Sequence, residues 1–232
     1  MKFGKNFFVF CHGFCSKKES KSVEIVANKL LKYGVTSISF DFPGHGESEQ
    51  TISKLTVDVC ISYINSTISY IKEKFGSDVN ISFYAISFGA YILLNKLIND
   101  KNKYANIVLR SPAINMKEIL LRSLLKDSFS SYKQIGKARA GHNGEKEVSY
   151  SFFEDIKKND LYKNYKENRE MLVIQGILDD TALIKDTYKF IIDKPEIKLL
   201  EMEGINHHME PEEINIITDK MLRIINVNVN NI

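Results

Sequence analysis

The chain has 232 residues, 44% of them hydrophobic and 26% charged, which suits one sizeable core and a single α/β domain. Lys and Arg total 32 against 29 Asp and Glu, a formal net charge of +3, with the charges scattered in pairs such as Lys17-Lys18 and Lys157-Lys158. That scatter argues against a nucleic-acid partner, and no segment reaches the ~18 consecutive apolar residues of a membrane span. Cys11, Cys15 and Cys60 lack the spacing of a disulfide framework and point to a reducing, cytoplasmic compartment. The opening "MKFGKNFFVFCHGF" has too short an apolar run for a secretory signal and lacks an A-x-A-like cleavage site.

In chain order, six short apolar runs are predicted strands: 6 to 12, 36 to 42, 79 to 86, 106 to 112, 171 to 177 and 197 to 203. Most are apolar on both faces, as a parallel sheet covered by helices on each side requires. Between them, residues 19 to 33, 54 to 75, 88 to 100, 181 to 193 and 211 to 226 carry apolar side chains at i, i+3 and i+4, predicting covering helices. The alternation predicts an α/β fold with a mainly parallel sheet flanked by helices. Residues 1–112 and 171–232 form the expected core. Residues 113–170, too long for an ordinary crossover, are an expected lid or cap. There "MKEILLRSLLKD" and "FFEDIKKNDLYKNY" read as helices, and "KARAGHNGEKEVSY" as two short strands around a Gly-His-Asn-Gly turn.

Ser87 in "SFYAISFGA" stands where the third strand meets a helix. A serine at such a corner takes a strained backbone conformation that exposes its hydroxyl, and the turn demands small residues two places to either side. Those are Ala85 and Gly89, so the pattern departs from G-x-S-x-G by one methyl. Upstream, "CHGF" closes the first strand and would bring a backbone N–H towards the serine. The amides of Phe14 and Phe88 are the expected oxyanion hole, with His12 a structural residue of the loop. Downstream, Asp179 lies three residues after Gly176, and His207 three after Gly204. Read alone, Asp179 and Asp180 are also suitable helix caps, and His207 and His208 ordinary loop residues. Serine at an elbow after the third strand, aspartate after the next-to-last and histidine after the last point instead to a nucleophile, acid and base. Asp180 and His208 remain open as substitutes for their neighbours, though the G-x-x-D and G-x-x-H spacings favour Asp179 and His207.

These residues resemble the α/β-hydrolase family over nearly the whole chain, and "DFPGHGES" (41 to 48) adds to the likeness. The resemblance implies that Asp41, Gly44 and His45 shape a loop beside the site. It also implies a reduced sheet of about six strands, since the chain starts almost at the HGF strand. Within the family the motifs look most like compact esterases of the feruloyl or cinnamoyl type, with serine aminopeptidase-like and monoacylglycerol lipase-like members also similar. The expected activity is hydrolysis of small acyl esters through Ser87, His207 and Asp179 and an acyl-enzyme, with no metal and no organic cofactor. Tyr132, Phe152 and Phe153 are candidates for an apolar substrate pocket, or equally for docking the insertion. A thioesterase or acyltransferase would use the same three residues. A peptidase would need groups such as Glu145, Glu147 and Glu154 to hold a peptide terminus, and a ligand receptor of the same fold is a further alternative.

Overall fold

The computed structural model describes residues 4–123, 129–140 and 146–225. Its centre is a sheet of β1 (Asn6–Cys11), β2 (Thr36–Ser39), β3 (Asn80–Ile86), β4 (Ile107–Arg110), β7 (Met171–Gly176) and β8 (Ile197–Met202), in spatial order β2-β1-β3-β4-β7-β8. Every pairing in it is parallel. All six strands lie within the predicted apolar runs, four of them shorter by one residue and β2 and β4 by three. β2 stops at Ser39 because the chain turns away, and the Phe42 N–H donates to His12 Nε2 (3.0 Å) instead of extending a ladder. β4 stops at Arg110 because Ser111 has φ 46°, which no strand tolerates.

Alternate strand residues feed two cores. Phe7, Val9, Cys11, Phe83 and Leu109 pack towards α2 (Val57–Phe75) and α3 (Phe88–Leu97). Phe8, Phe10, Tyr84, Val108 and Ile174 pack towards α1 (Lys21–Leu31) and α9 (Pro211–Ile224). The helices start on polar caps: Ser20 Oγ accepts the Val23 N–H (3.4 Å), Thr56 Oγ1 accepts that of Val59 (3.2 Å), and α9 opens on Pro211. α8 (Ile184–Ile191) begins later than the periodicity suggests, because the Thr181 and Ala182 amides bond the Asp179 carboxylate rather than a helical turn.

Between β4 and β7 lie α4 (Met116–Ser123), α5 (Phe129–Ile135), the antiparallel pair β5 (Lys137–Ala140) and β6 (Lys146–Ser149), α6 (Tyr150–Lys158) and α7 (Leu161–Asn164). The turn 141–145 and the end of the first expected helix lie outside the described residues. The second expected helix is split, since Asn159 closes α6 and the Asp160 carboxylate accepts the Tyr162 N–H (3.0 Å) to open α7. The segment docks on the α2 and α3 side of the sheet, where Asp155 accepts the Val57 N–H (2.7 Å) and Tyr91 Oη donates to the Asn159 carbonyl (2.9 Å).

Candidate active site

Ser87 joins β3 to α3 with φ 49° and ψ −110°, outside the regions an L-residue normally occupies. Two backbone bonds hold the corner: the Ser87 N–H donates to the Arg110 carbonyl (3.0 Å), and the Ser87 carbonyl accepts from Ala113 (3.1 Å). The small residues flanking it are unequal. Ala85 is an ordinary buried strand residue, paired with Cys11 and Leu109, so its methyl is accommodated. At Gly89 an added Cβ would lie 2.3 Å from the Cys11 carbonyl oxygen, so only glycine lets α3 approach β1 this closely.

On the other side, β7 and β8 bring an acid and an imidazole to the same edge. Gly176 lies against the backbone of Ile205, where a Cβ would come within 2.3 Å of its carbonyl oxygen. The Ile177 and Leu178 amides bond the Met202 and Ile205 carbonyls, both at 3.0 Å. These contacts fasten the loop after β7 to the loop after β8, and they explain why glycine precedes Asp179 by three residues. His207 Nδ1 lies 3.0 and 2.9 Å from the two Asp179 oxygens, and His207 Nε2 lies 3.1 Å from Ser87 Oγ. An ionised carboxylate only accepts, so Nδ1 carries the proton and Nε2 offers its lone pair to the serine hydroxyl.

Asp179 is 3% exposed and accepts further hydrogens from Thr181 N (3.0 Å), Ala182 N (2.7 Å) and Gln175 Nε2 (2.9 Å). It therefore caps the chain ahead of α8 and faces the imidazole at once. Asp180 turns away: it is exposed and accepts from Thr181 Oγ1 (3.1 Å) and Asn206 Nδ2 (3.4 Å). His208 is exposed beside His207, ring centroids 5.6 Å apart. Gln175 was not singled out from sequence. Its place inside the apolar run "MLVIQGI" was the available signal, because a fully buried amide must find partners. Besides holding Asp179, it donates to the Ala182 carbonyl (2.8 Å) and accepts from Thr187 Oγ1 (3.1 Å).

The loop after β1 lies against the serine, a Cβ on Gly13 falling 3.6 Å from Ser87 Cβ. Phe14 follows Gly13, and Phe88 is the first residue of α3, whose amide has no partner within the helix. His12 is 1% exposed: Nδ1 donates to the Gly13 carbonyl (2.8 Å) while Nε2 accepts from Phe42. Burial lowers its pKa from the ordinary histidine value. His45 Nδ1 donates to the Pro43 carbonyl (2.9 Å), and burial, with the neighbouring His12, pushes its pKa down to about 4. Asp41 accepts the amides of Lys18 (2.6 Å) and Glu47 (2.9 Å) and so ties this loop to the one before α1.

A cleft of about 210 Å³ opens at Ser87 and His207 on the α1 side of the sheet. Tyr132, Phe152 and Phe153 do not line it. Tyr132 and Phe153 pack with Tyr150 inside the insertion, and Tyr132 Oη donates to the Ser149 carbonyl (2.6 Å). Phe152 lies beyond Phe14 and Phe88, ring centroids 6.1 Å from each. Among the described residues no three His, Cys, Asp or Glu side chains gather as metal ligands would, and no helix is long and apolar enough to cross a membrane.

A parallel sheet with a serine elbow after β3, an acid after β7 and a histidine after β8 defines an α/β hydrolase. Residues 4–187 match the family described as serine aminopeptidase, S33, and the chain belongs to it; the protein is a serine hydrolase. It is 24% identical over 217 residues to a Mycoplasma genitalium protein that carries an esterase/lipase name, covering 91% of this chain and 75% of that one. Among solved structures it is similar in fold to Est1E of Butyrivibrio proteoclasticus in complex with ferulic acid. That likeness has a TM-score of 0.76 at 18% identity, covering 94% of this chain and 88% of the other. The monoacylglycerol lipase of Paleococcus ferrophilus is likewise similar, with a TM-score of 0.71 at 15% identity over 97% of this chain and 95% of that one.

Proposed function

We propose that the protein hydrolyses carboxylic esters of short acyl groups, with Ser87 as nucleophile, His207 as general base and acid, and Asp179 as the residue that orients the imidazole. The observation that carries this reading is the continuous contact from Asp179 through His207 to Ser87 Oγ, with the lone pair of Nε2 directed at the hydroxyl. His207 takes the serine proton as Oγ attacks the acyl carbonyl. Asp179 then stabilises the imidazolium, and the Phe14 and Phe88 amides hold the oxyanion, each donor contributing about 3 kcal/mol to the transition state. Collapse releases the alcohol, which leaves with the proton from His207. Water, activated by the same imidazole, frees the acid from the acyl-enzyme.

A short acyl group suits a cleft of about 210 Å³, smaller than the pockets that enclose drug-sized ligands. An aromatic acyl group of the feruloyl type is the second reading, favoured by the fold's likeness to Est1E and by the Phe14, Phe88 and Phe152 rings grouped behind Ser87. On that reading residues 113–170 act as a lid whose movement admits the ring. A thioesterase or acyltransferase shares the three residues and differs in leaving group or acceptor. The peptidase reading is weaker: Glu147 and Glu154 are on the surface and paired with Lys137 (3.0 Å) and Lys157 (2.9 Å), and among the described residues no carboxylate lines the cleft to hold an ammonium terminus. Glu145 lies outside the described residues.

The test is labelling by a fluorophosphonate probe together with turnover of acetyl, butyryl and cinnamoyl esters and the matching thioesters. Wild-type protein is expected to label and to cleave the esters. Ser87→Ala is expected to lose both, with kcat lower by roughly 10⁵-fold or more. Labelling that survives in Ser87→Ala, or a wild type that cleaves none of the substrates, overturns the reading.

A further inference from the structure

Arg110 ends β4, and its carbonyl is the acceptor that holds the Ser87 amide, so it stands next to the elbow. Its side chain is 7% exposed and lines the same cleft as Ser87 and His207. Neither Nε nor Nη1 has a hydrogen-bond partner among the described residues. A guanidinium stays charged at neutral pH, and enclosing one without a partner is among the most unfavourable arrangements a fold can hold. Asp179 favours the charge through space but gives it no hydrogen bond, its oxygens being taken by Thr181, Ala182, Gln175 and His207. Tyr84 Oη and Ser111 Oγ, close by on β3 and after β4, are also enclosed without partners.

The rest of the cleft has the same sign. Ser20 and Ser22 on its wall belong to the cap and first turn of α1, an 11-residue helix, so the positive end of that helix faces inward. His208 is a further wall residue, and no aspartate or glutamate is among them. A buried cation with two unpartnered nitrogens, a helix N-terminus and, among the described residues, no acid on the walls of one small space beside a nucleophile are the components of an anion site.

We infer that this cleft is a carboxylate subsite: the ester cleaved at Ser87 carries a carboxylate on a short chain, and Arg110 is the residue that selects it. The inference rests on the esterase reading above. It narrows the substrate class to small anionic acyl esters and sets the site against esters with an ammonium group. On hydrolysis, water would split such an ester at the acyl C–O bond into a dicarboxylate and a neutral alcohol, one proton passing to solvent.

The experiment compares monoethyl succinate with ethyl succinamate, its neutral near-isostere, and with the ethyl ester of β-alanine, which carries an ammonium group. Wild-type kcat/KM is expected to favour the carboxylate over the amide by about tenfold to a hundredfold, the range of a charge-assisted hydrogen bond, with the ammonium ester slowest. Arg110→Gln is expected to collapse the carboxylate-to-amide ratio towards one, and Arg110→Lys to restore part of it. The ratio is the readout because a general loss of folded protein cancels from it. As a check that needs no variant, succinate is expected to slow fluorophosphonate labelling of wild-type protein while succinamide does not. If both ethyl esters are cleaved at equal rates, or if Arg110→Gln keeps the preference, the inference is overturned while the esterase reading stands, and ordered water satisfies the guanidinium. If no ester is cleaved and no label enters, the esterase reading fails and takes this inference with it.

Discussion

Two pairs of loops at the carboxyl edge of the sheet are built from the same side chains and do opposite things. The loops after β1 and β2 bring together His12, His45 and Asp41, while those after β7 and β8 bring together Asp179, His207 and His208. In the first pair His12 Nε2 already accepts the Phe42 N–H, and the Asp41 oxygens already hold two backbone amides, 3.9 Å from that same nitrogen at the closest. The lone pair a base would need is used up inside the fold. In the second pair the carboxylate meets Nδ1, so Nε2 is left to face a hydroxyl. A histidine beside an aspartate is therefore no proton relay by itself; what decides is which ring nitrogen the fold leaves uncommitted.

If the comparison is right, substitutions in the second pair affect rate and those in the first affect stability. Asp179→Asn is expected to lower kcat by about 10⁴-fold, since an amide favours the wrong imidazole tautomer, with circular dichroism and labelling stoichiometry checking that the fold persists. A loss under tenfold would break the comparison on its catalytic side. The next effect is on pH. His12 and His45 have folded pKa values below the ordinary histidine value of 6.5, His45 at about 4, so the unfolded chain takes up protons first as pH falls. Their contribution is complete above about pH 6.5 and drains away towards pH 4, by up to about 3 kcal/mol for His45 alone. Urea midpoints measured across that window are expected to fall with pH, and less steeply in His45→Gln.

His12→Ala comes third, with a stability loss of about 2 kcal/mol from the orphaned Phe42 amide and the cavity, read as a lower urea midpoint at unchanged m. Should it retain full stability yet lose as much activity as Asp179→Asn, the two loop pairs would not be different in kind. Smallest are Asp180→Asn and His208→Gln, expected to change kcat on neutral esters by less than about threefold, since among the described residues neither side chain hydrogen-bonds the side chains of Ser87, His207 or Asp179. Either one matching Asp179→Asn would reopen the choice of partner.

Much of this was legible in the residues. The strands of the sheet announce themselves because most bury apolar residues on both faces, and Ser87, Asp179 and His207 follow β3, β7 and β8 in that order. The spacing from Gly176 to Asp179 was readable too, although its cause, the contact with Ile205, lies 29 residues further on and leaves no local trace. Gln175 and Arg110 were less visible. A polar residue within an apolar run signals that it needs partners, but whether those are a carboxylate, a water or a substrate depends on which loops meet there. The insertion shows the limit most clearly. Tyr132, Phe152 and Phe153 declare burial by composition, whereas the surface they bury against is fixed by tertiary contacts such as that of Phe152 with Phe14 and Phe88.

The loop bearing His207 runs only from the end of β8 to Pro211, and its far end is fixed where the Glu213 carboxylate accepts the Glu210 N–H (2.8 Å) at the start of α9. α9 in turn rests on α1, with Lys29 bonding Asp219 (2.6 Å). On the proposed chemistry, the proton acceptor is therefore held in place by the docking of α9 on α1. That dependence makes α9 a point of failure: local melting of this one helix would silence the serine while the sheet beneath it stayed whole.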